Sequence, residues 1–149
     1  ESQPLTKGWK WALPTEAQWE YACRAGTSGP IPGAGYTDEV AWYSWNSSGT
    51  TQVVATKRSN PWGLYDMLGN VSEWCFDWYG ADSSFYGTAE SIVDPVVSSP
   101  PKRDGNPSRV IRGGHWADHP REVTSSIRYW DSYSSPFYGF RPVAVSVAP

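Results

Sequence analysis

LPTEAQWEYACRAG, running from Leu13 to Gly26, is the segment whose pattern fixes one kind of secondary structure, and the rest of the chain reads outward from it. Thr15 followed three residues later by Gln18 forms a capping box, with Leu13 and Pro14 just ahead of it. Ala17 with Tyr21, and Trp19 with Cys23, stand at i,i+4 and predict one broad apolar face. Gly26 is expected to close the helix, because a left-handed cap costs glycine little. This helix is a packing element.

Beyond it the chain turns more than it ladders. From GTSGPIPGAG to about Ala55 turn residues dominate, with a short strand or turn expected at VAWYSW and another short strand at TQVV. SNPWGLYDMLGNVSEWCFDWYG interleaves apolar and polar residues, and residues 81–107 read as a long polar surface excursion. SRVIRGG and YGFRPVAVSV have the β-branched content of core strands. No internal repeat or domain boundary interrupts residues 1–149, so the expectation is a single α+β domain, loop-rich with short antiparallel strands.

Composition limits the function classes. The 149 residues include 10 Trp, 9 Tyr and 4 Phe beside 14 Gly and 13 Pro, so aromatics supply the burial and turns are many. Net charge is −3 without a basic cluster, which argues against nucleic acid as a partner. No apolar run approaches the roughly 18 residues of a membrane span. Two cysteines, Cys23 and Cys75, are too few for a disulfide framework or a four-thiolate metal site.

Four motifs, LPTEAQWEYACRAGT, NPWGLYDMLGNVSEW, RVIRGGHW and YGFRPV, occur in the order and approximate spacing of the formylglycine-generating enzyme (sulfatase-modifying factor) family, which the chain resembles from about Gly8 to Val145. The resemblance implies an irregular C-type-lectin-like fold. Family members carry a further strand and helix ahead of the LPTEAQWEY helix, where this chain has about a dozen residues. Either the chain is a fragment or those elements come from another polypeptide; a partner chain or an oligomer covering that N-terminal edge is expected, since an open strand edge invites pairing. Catalytic members place two copper-binding cysteines after the Gly-Gly pair, the soft ligands that Cu(I) and thiol oxidation need. The corresponding positions fall at about Asp118 and Val123, and no cysteine follows Cys75. Copper is not expected.

The resemblance also implies a structural calcium ion held by YDMLGNVSEW, with Asp66 and Glu73 offering carboxylates and Gly69 and Val71 backbone carbonyls. Such mixed oxygen donors suit calcium; the competing reading is a turn-bonded loop with Glu73 paired to an arginine. A second calcium site of some members is expected to be absent, because NSSGTTQVVATKRS holds no Asp or Glu. In HWADHP an extended chain would set His115 and His119 about 13 Å apart, and Gly113, Gly114 and Pro120 oppose a helix, so hydrogen-bonding surface residues are expected there rather than a zinc pair. Asn46 and Asn70 fit the N-glycosylation pattern.

RYWDSYSSPFYGFR mixes rigid aromatics with Ser and Asp, the composition of adaptable binding surfaces. Trp116 and Phe140 are expected in the core, and Arg128 and Arg141 paired with buried carboxylates or carbonyls. The favoured function is a non-catalytic ligand-binding domain, similar to the variable proteins of diversity-generating retroelements. Its surface spans residues 115–138, with Trp116, Asp118, His119, Tyr129, Trp130, Asp131, Tyr133 and Tyr138 meeting a protein or glycan ligand in an extracytoplasmic or cell-surface setting. Two alternatives stand beside it: a metal-dependent oxidoreductase of altered chemistry using His115 and His119, and a structural or regulatory subunit completed by a partner chain.

Overall fold

The structure, a computed structural model, describes residues 8–80, 94–100 and 106–147; most of the 81–107 excursion lies outside the described residues. Helix α1 (Glu16–Arg24) starts at the expected capping box, the Thr15 hydroxyl accepting from Gln18 N–H and the Gln18 side chain from Thr15 N–H. Its left-handed C-cap falls on Ala25 (φ 47°), one residue before Gly26. The buried face differs from the expected one: Glu16, Trp19 and Cys23 turn inward, while Tyr21 is 68% exposed with its ring edge-on to Trp62 at 5.0 Å. A second helix, α2 (Thr37–Val40), is a single turn.

Three small sheets follow. The largest has the order β6-β5-β4-β7: β4 (Ser72–Trp78) lies antiparallel to β5 (Arg109–Arg112), β5 antiparallel to β6 (Arg128–Asp131), and β4 parallel to β7 (Tyr138–Gly139). Strand β1 (Trp9–Ala12) pairs antiparallel with β8 (Val143–Ser146), and β2 (Ala41–Trp42) runs parallel to β3 (Leu68–Gly69). The expected antiparallel pairing holds at β1/β8, β4/β5 and β5/β6, while β2/β3 and β4/β7 run parallel, where loops rather than hairpins bring the strands together. TQVV is not a strand: Gln52 instead bonds the Asn70 side chain through its backbone N–H and C=O, and Val53 and Val54 face solvent. Strand β8 alternates half-buried and exposed residues, an edge ribbon rather than a core strand.

Trp19, Cys23, Val40, Ala41, Tyr43, Met67, Leu68, Cys75, Val110 and Val123 make the core. Around it α1 is tied to the sheet by charge. Buried Arg112 lies 3.4 Å from Glu16 and pairs with Glu20, while Arg128 pairs with Glu16 at 2.6 Å. Arg112 also donates to the carbonyls of Ser125 (2.9 Å) and Ile127. Such donors fix geometry because leaving one buried charge unpaired costs several kcal/mol, about 3–5. At the start of α1 Asp77 accepts from Glu16 N–H (2.7 Å) and Val97 N–H (2.8 Å), a carboxylate at the positive end of the helix.

Candidate functional site

Gly113 and Gly114 shape the turn after β5, both at positive φ; a Cβ on Gly114 would stand 3.0 Å from Glu122 O and 3.2 Å from Asp118 Oδ2. That close approach folds HWADHPRE back on itself. His115 N–H donates to Asp118 Oδ2 (2.8 Å), His115 Nε2 lies 3.2 Å from Asp118 Oδ1, and Ala117 N–H donates to His115 Nδ1 (3.2 Å). His119 then caps a 3-10 turn (Pro120–Glu122): its Nδ1 accepts from Arg121 N–H (3.3 Å), and its own N–H donates to Glu122 Oε2 (3.1 Å).

Strands β6 and β7 bring their residues to this turn. Tyr129 donates its hydroxyl to Glu122 Oε1 (3.1 Å), and Tyr138 donates to Asp131 Oδ2 (2.9 Å). Burial and the Glu122 bond push the Tyr129 phenol up to about 12, and burial and the Asp131 bond do the same for Tyr138. Burial alone would raise Asp131, but bonds from Tyr138 and the amides of Ser132 and Tyr133 outweigh it and hold the carboxyl below its usual range. His115 stacks on Phe137 (4.4 Å), which packs against Trp116 (5.2 Å). Trp116, half-buried, stands in this cluster and not in the core.

Two of the expected contact residues leave the group. Trp130 follows the strand alternation to the other face of β6 and stacks on Tyr79 at 4.1 Å, over which the Arg128 guanidinium also sits. Tyr133, exposed beyond the end of β6, accepts from Asn106. One residue was missed: Trp45, 70% exposed, lies edge-on to His119 at 5.2 Å. Its loop is pinned to the site by Ser44 N–H donating to Asp118 O (3.0 Å) and the Ser47 hydroxyl donating to Trp116 O (2.9 Å). An aromatic between polar turn residues was its only signal.

The positions that resemblance assigns to the catalytic cysteines hold no reactive group. Asp118 is bonded within its turn and Val123 is fully buried. Cys23 and Cys75 are free and buried in the core; burial pushes the Cys23 thiol up to about 12 and raises Cys75 as well. Thiolate chemistry is therefore suppressed at both. Among the described residues no group of three or more His, Cys, Asp and Glu is placed to hold a metal ion.

Asp66, Gly69, Val71 and Glu73 line one pocket of about 480 Å³ together with Tyr65, Phe140 and Arg141. Gly69 is required where β3 passes β2, since a Cβ there would sit 2.2 Å from Trp42 O at φ +71°. The four residues suit calcium in kind, offering oxygen donors only. Glu73, however, already accepts from Trp19 Nε1–H (2.7 Å) and from Arg141 Nη2 (2.7 Å) and Nε (3.0 Å), and Asp66 Oδ2 accepts from Ala55 N–H (2.7 Å). Calcium would have to share Glu73 with Arg141. The expected pairing of Arg141 and Arg128 with buried carboxylates is present. Phe140, expected in the core, is 70% exposed, because Arg141 beside it turns inward. Asn70 is buried and its side chain bonds Gln52 in both directions, so the sequon there is inaccessible.

A C-type-lectin-like frame with an acidic, aromatic turn where a thiol pair would stand defines the class. The chain belongs to the sulfatase-modifying factor enzyme 1-like domain family, whose model matches residues 2–145. Its structure is similar to that of Treponema denticola variable protein 1, with a TM-score of 0.74 and 32% identity over 91% of this chain and 48% of that one. In sequence it is 37% identical to the serine/threonine-protein kinase pkn1 of Chlamydia pneumoniae over 87% of this chain and 20% of the kinase. It is 28% identical to the inactive C-alpha-formylglycine-generating enzyme 2 of Mus musculus, over 87% of this chain and 41% of that protein. The chain thus spans between a fifth and about half the length of these relatives. Among the described residues no helix is long and apolar enough to cross a membrane.

Proposed function

We propose that this domain binds a protein or glycan ligand without catalysis, on the face formed by Trp45, Trp116, Asp118, His119, Tyr129, Asp131 and Tyr138. The observation that carries the reading is the state of the two positions that resemblance matches to the catalytic cysteines, about Asp118 and Val123: one is an aspartate locked in a turn, the other a core valine. Similarity to a variable protein and to an inactive formylglycine-generating enzyme supports it. Calcium held by Asp66, Gly69, Val71 and Glu73 would brace the neighbouring loop and add no redox chemistry. A second reading, a subunit that needs a partner chain, draws on β1, where Trp9 and Trp11 are about half exposed.

Elemental analysis of the purified chain, paired with an aldehyde assay on a cysteine peptide supplied with oxygen and reductant, tests the first reading. Calcium without stoichiometric copper or iron, and no aldehyde, is the expected result. Stoichiometric copper or iron, or any aldehyde above the peptide blank, returns the chain to the enzymes.

A further inference from the structure

The same turn bears on regulation of the proposed ligand face, and the inference rests on that reading. Both histidines of HWADHP use Nδ1 as a hydrogen-bond acceptor for a backbone amide two residues ahead, Ala117 for His115 and Arg121 for His119. A neutral imidazole can accept at only one nitrogen, so the His115 proton resides on Nε2, 3.2 Å from Asp118 Oδ1. A second proton must enter at Nδ1, where it meets the Ala117 N–H head-on. Donor then faces donor, and the Ala117 amide loses its acceptor within the turn.

We propose that His115 is an acid-sensitive latch of the ligand face: protonation at Nδ1 expels the Ala117 amide and unpins the turn from the Trp45 loop. The connection to that loop is direct, since Asp118, the last residue of the turn, donates its N–H to His115 O (3.0 Å) and accepts the Ser44 N–H on its own carbonyl. The His115 ring also seats Phe137, so its movement reaches the loop ahead of β7.

The groups facing the ring come from several elements. Asp118 belongs to its own turn and Glu122 to the 3-10 turn; Tyr129 of β6 holds Glu122, while Tyr138 of β7 holds Asp131. Phe137 and Trp116 supply apolar walls. Burial lowers the His115 titration below the ordinary imidazole range, with Asp118 and Glu122 opposing in part, and burial raises the Asp118 carboxyl. Linkage gives the sign. The unfolded ring takes its proton near pH 6.5 and the folded ring only at lower pH, so the stability held by the neutral ring is complete above about 6.5 and is lost as pH falls toward the folded value.

NMR on the free chain between pH 7.5 and 5 tests the latch. Ring ¹⁵N shifts should show Nδ1 unprotonated at neutral pH. Amide protection factors, which remove the intrinsic pH dependence of exchange, should fall roughly five-fold at Ala117 and Ser44 across the His115 titration, the factor of one net hydrogen bond. Protection at Val110 in β5 should hold. His115→Asn can still accept the Ala117 amide through Oδ1 but does not titrate, and should abolish the response. A proton on Nδ1 at neutral pH, a titration that leaves Ala117 protected, or an equal drop in His115→Asn overturns the proposal. Because no ligand takes part, a failed latch is distinguishable from a failed binding reading, which the metal and aldehyde measurements decide.

Discussion

Glu73 shows how one side chain can be legible as chemistry yet not as an address. Its carboxylate accepts from the core indole of Trp19 and from two nitrogens of Arg141, with only 8% of the side chain exposed. Sequence chemistry alone says that a carboxylate in an apolar strand needs a cation; only the fold names residue 141, whose guanidinium also donates to Tyr65 O (2.9 Å). Phe140 was misread for the complementary reason: neighbours in an extended chain point opposite ways, and Arg141 takes the inward direction. Glu73→Gln keeps the shape but removes the charge, and is expected to cost about 2 kcal/mol, as for a hydrogen-bonded ionised group. Urea unfolding reads it as a lower midpoint at unchanged slope.

Among the elements, α1 was the most readable, because its capping box and the buried Trp19 and Cys23 are local signals. What its periodicity could not supply is the charged pairing: Glu16 is buried among arginines, whereas apolar Tyr21 faces out. Strand β6 carries the opposite lesson. RYWD was legible as an aromatic segment, but alternation sends Tyr129 and Trp130 to different faces, which a composition argument cannot see. Two substitutions separate those faces. Trp130→Ala, losing the Tyr79 stack, is expected to cost about 1 kcal/mol and to shift amide resonances around Tyr79. Tyr129→Phe, losing the Glu122 bond, is expected to cost about 1 kcal/mol and to shift amides between His115 and Glu122. Shifts spreading equally to both faces would refute the division of the proposed ligand residues.

Over the whole molecule the four motifs that carried the family resemblance converge: α1, the β3–β4 segment and β5 contribute residues to one core, and YGFRPV joins them through β7 beside β4 and through Arg141 bonded to Glu73. The order of those motifs was visible in the chain; the parallel contacts of β2 with β3 and β4 with β7 were not, since each joins segments through long irregular loops. The proposed ligand face was half legible for the same reason, with Trp45 arriving from a separate loop. Calcium should act at this scale. At a hundredfold excess over its Kd it would add about 2.7 kcal/mol, raising the melting temperature by roughly 5–10 °C for a domain of this size. Melting the chelated chain with and without calcium checks this, and an unmoved transition would leave Arg141 as the cation that serves Glu73.

The carboxylate shared by Trp19 and the pocket has one more consequence. The indole N–H of Trp19, a fluorophore sealed in the core, donates to Oε2 of Glu73, whose carboxylate also lines a solvent-facing cleft. A cation held at Glu73 would draw electron density from the partner of that indole, and is expected to shift the share of the emission that Trp19 contributes among the ten tryptophans. Calcium proposed for the cleft would then be read optically, by a residue buried in the core.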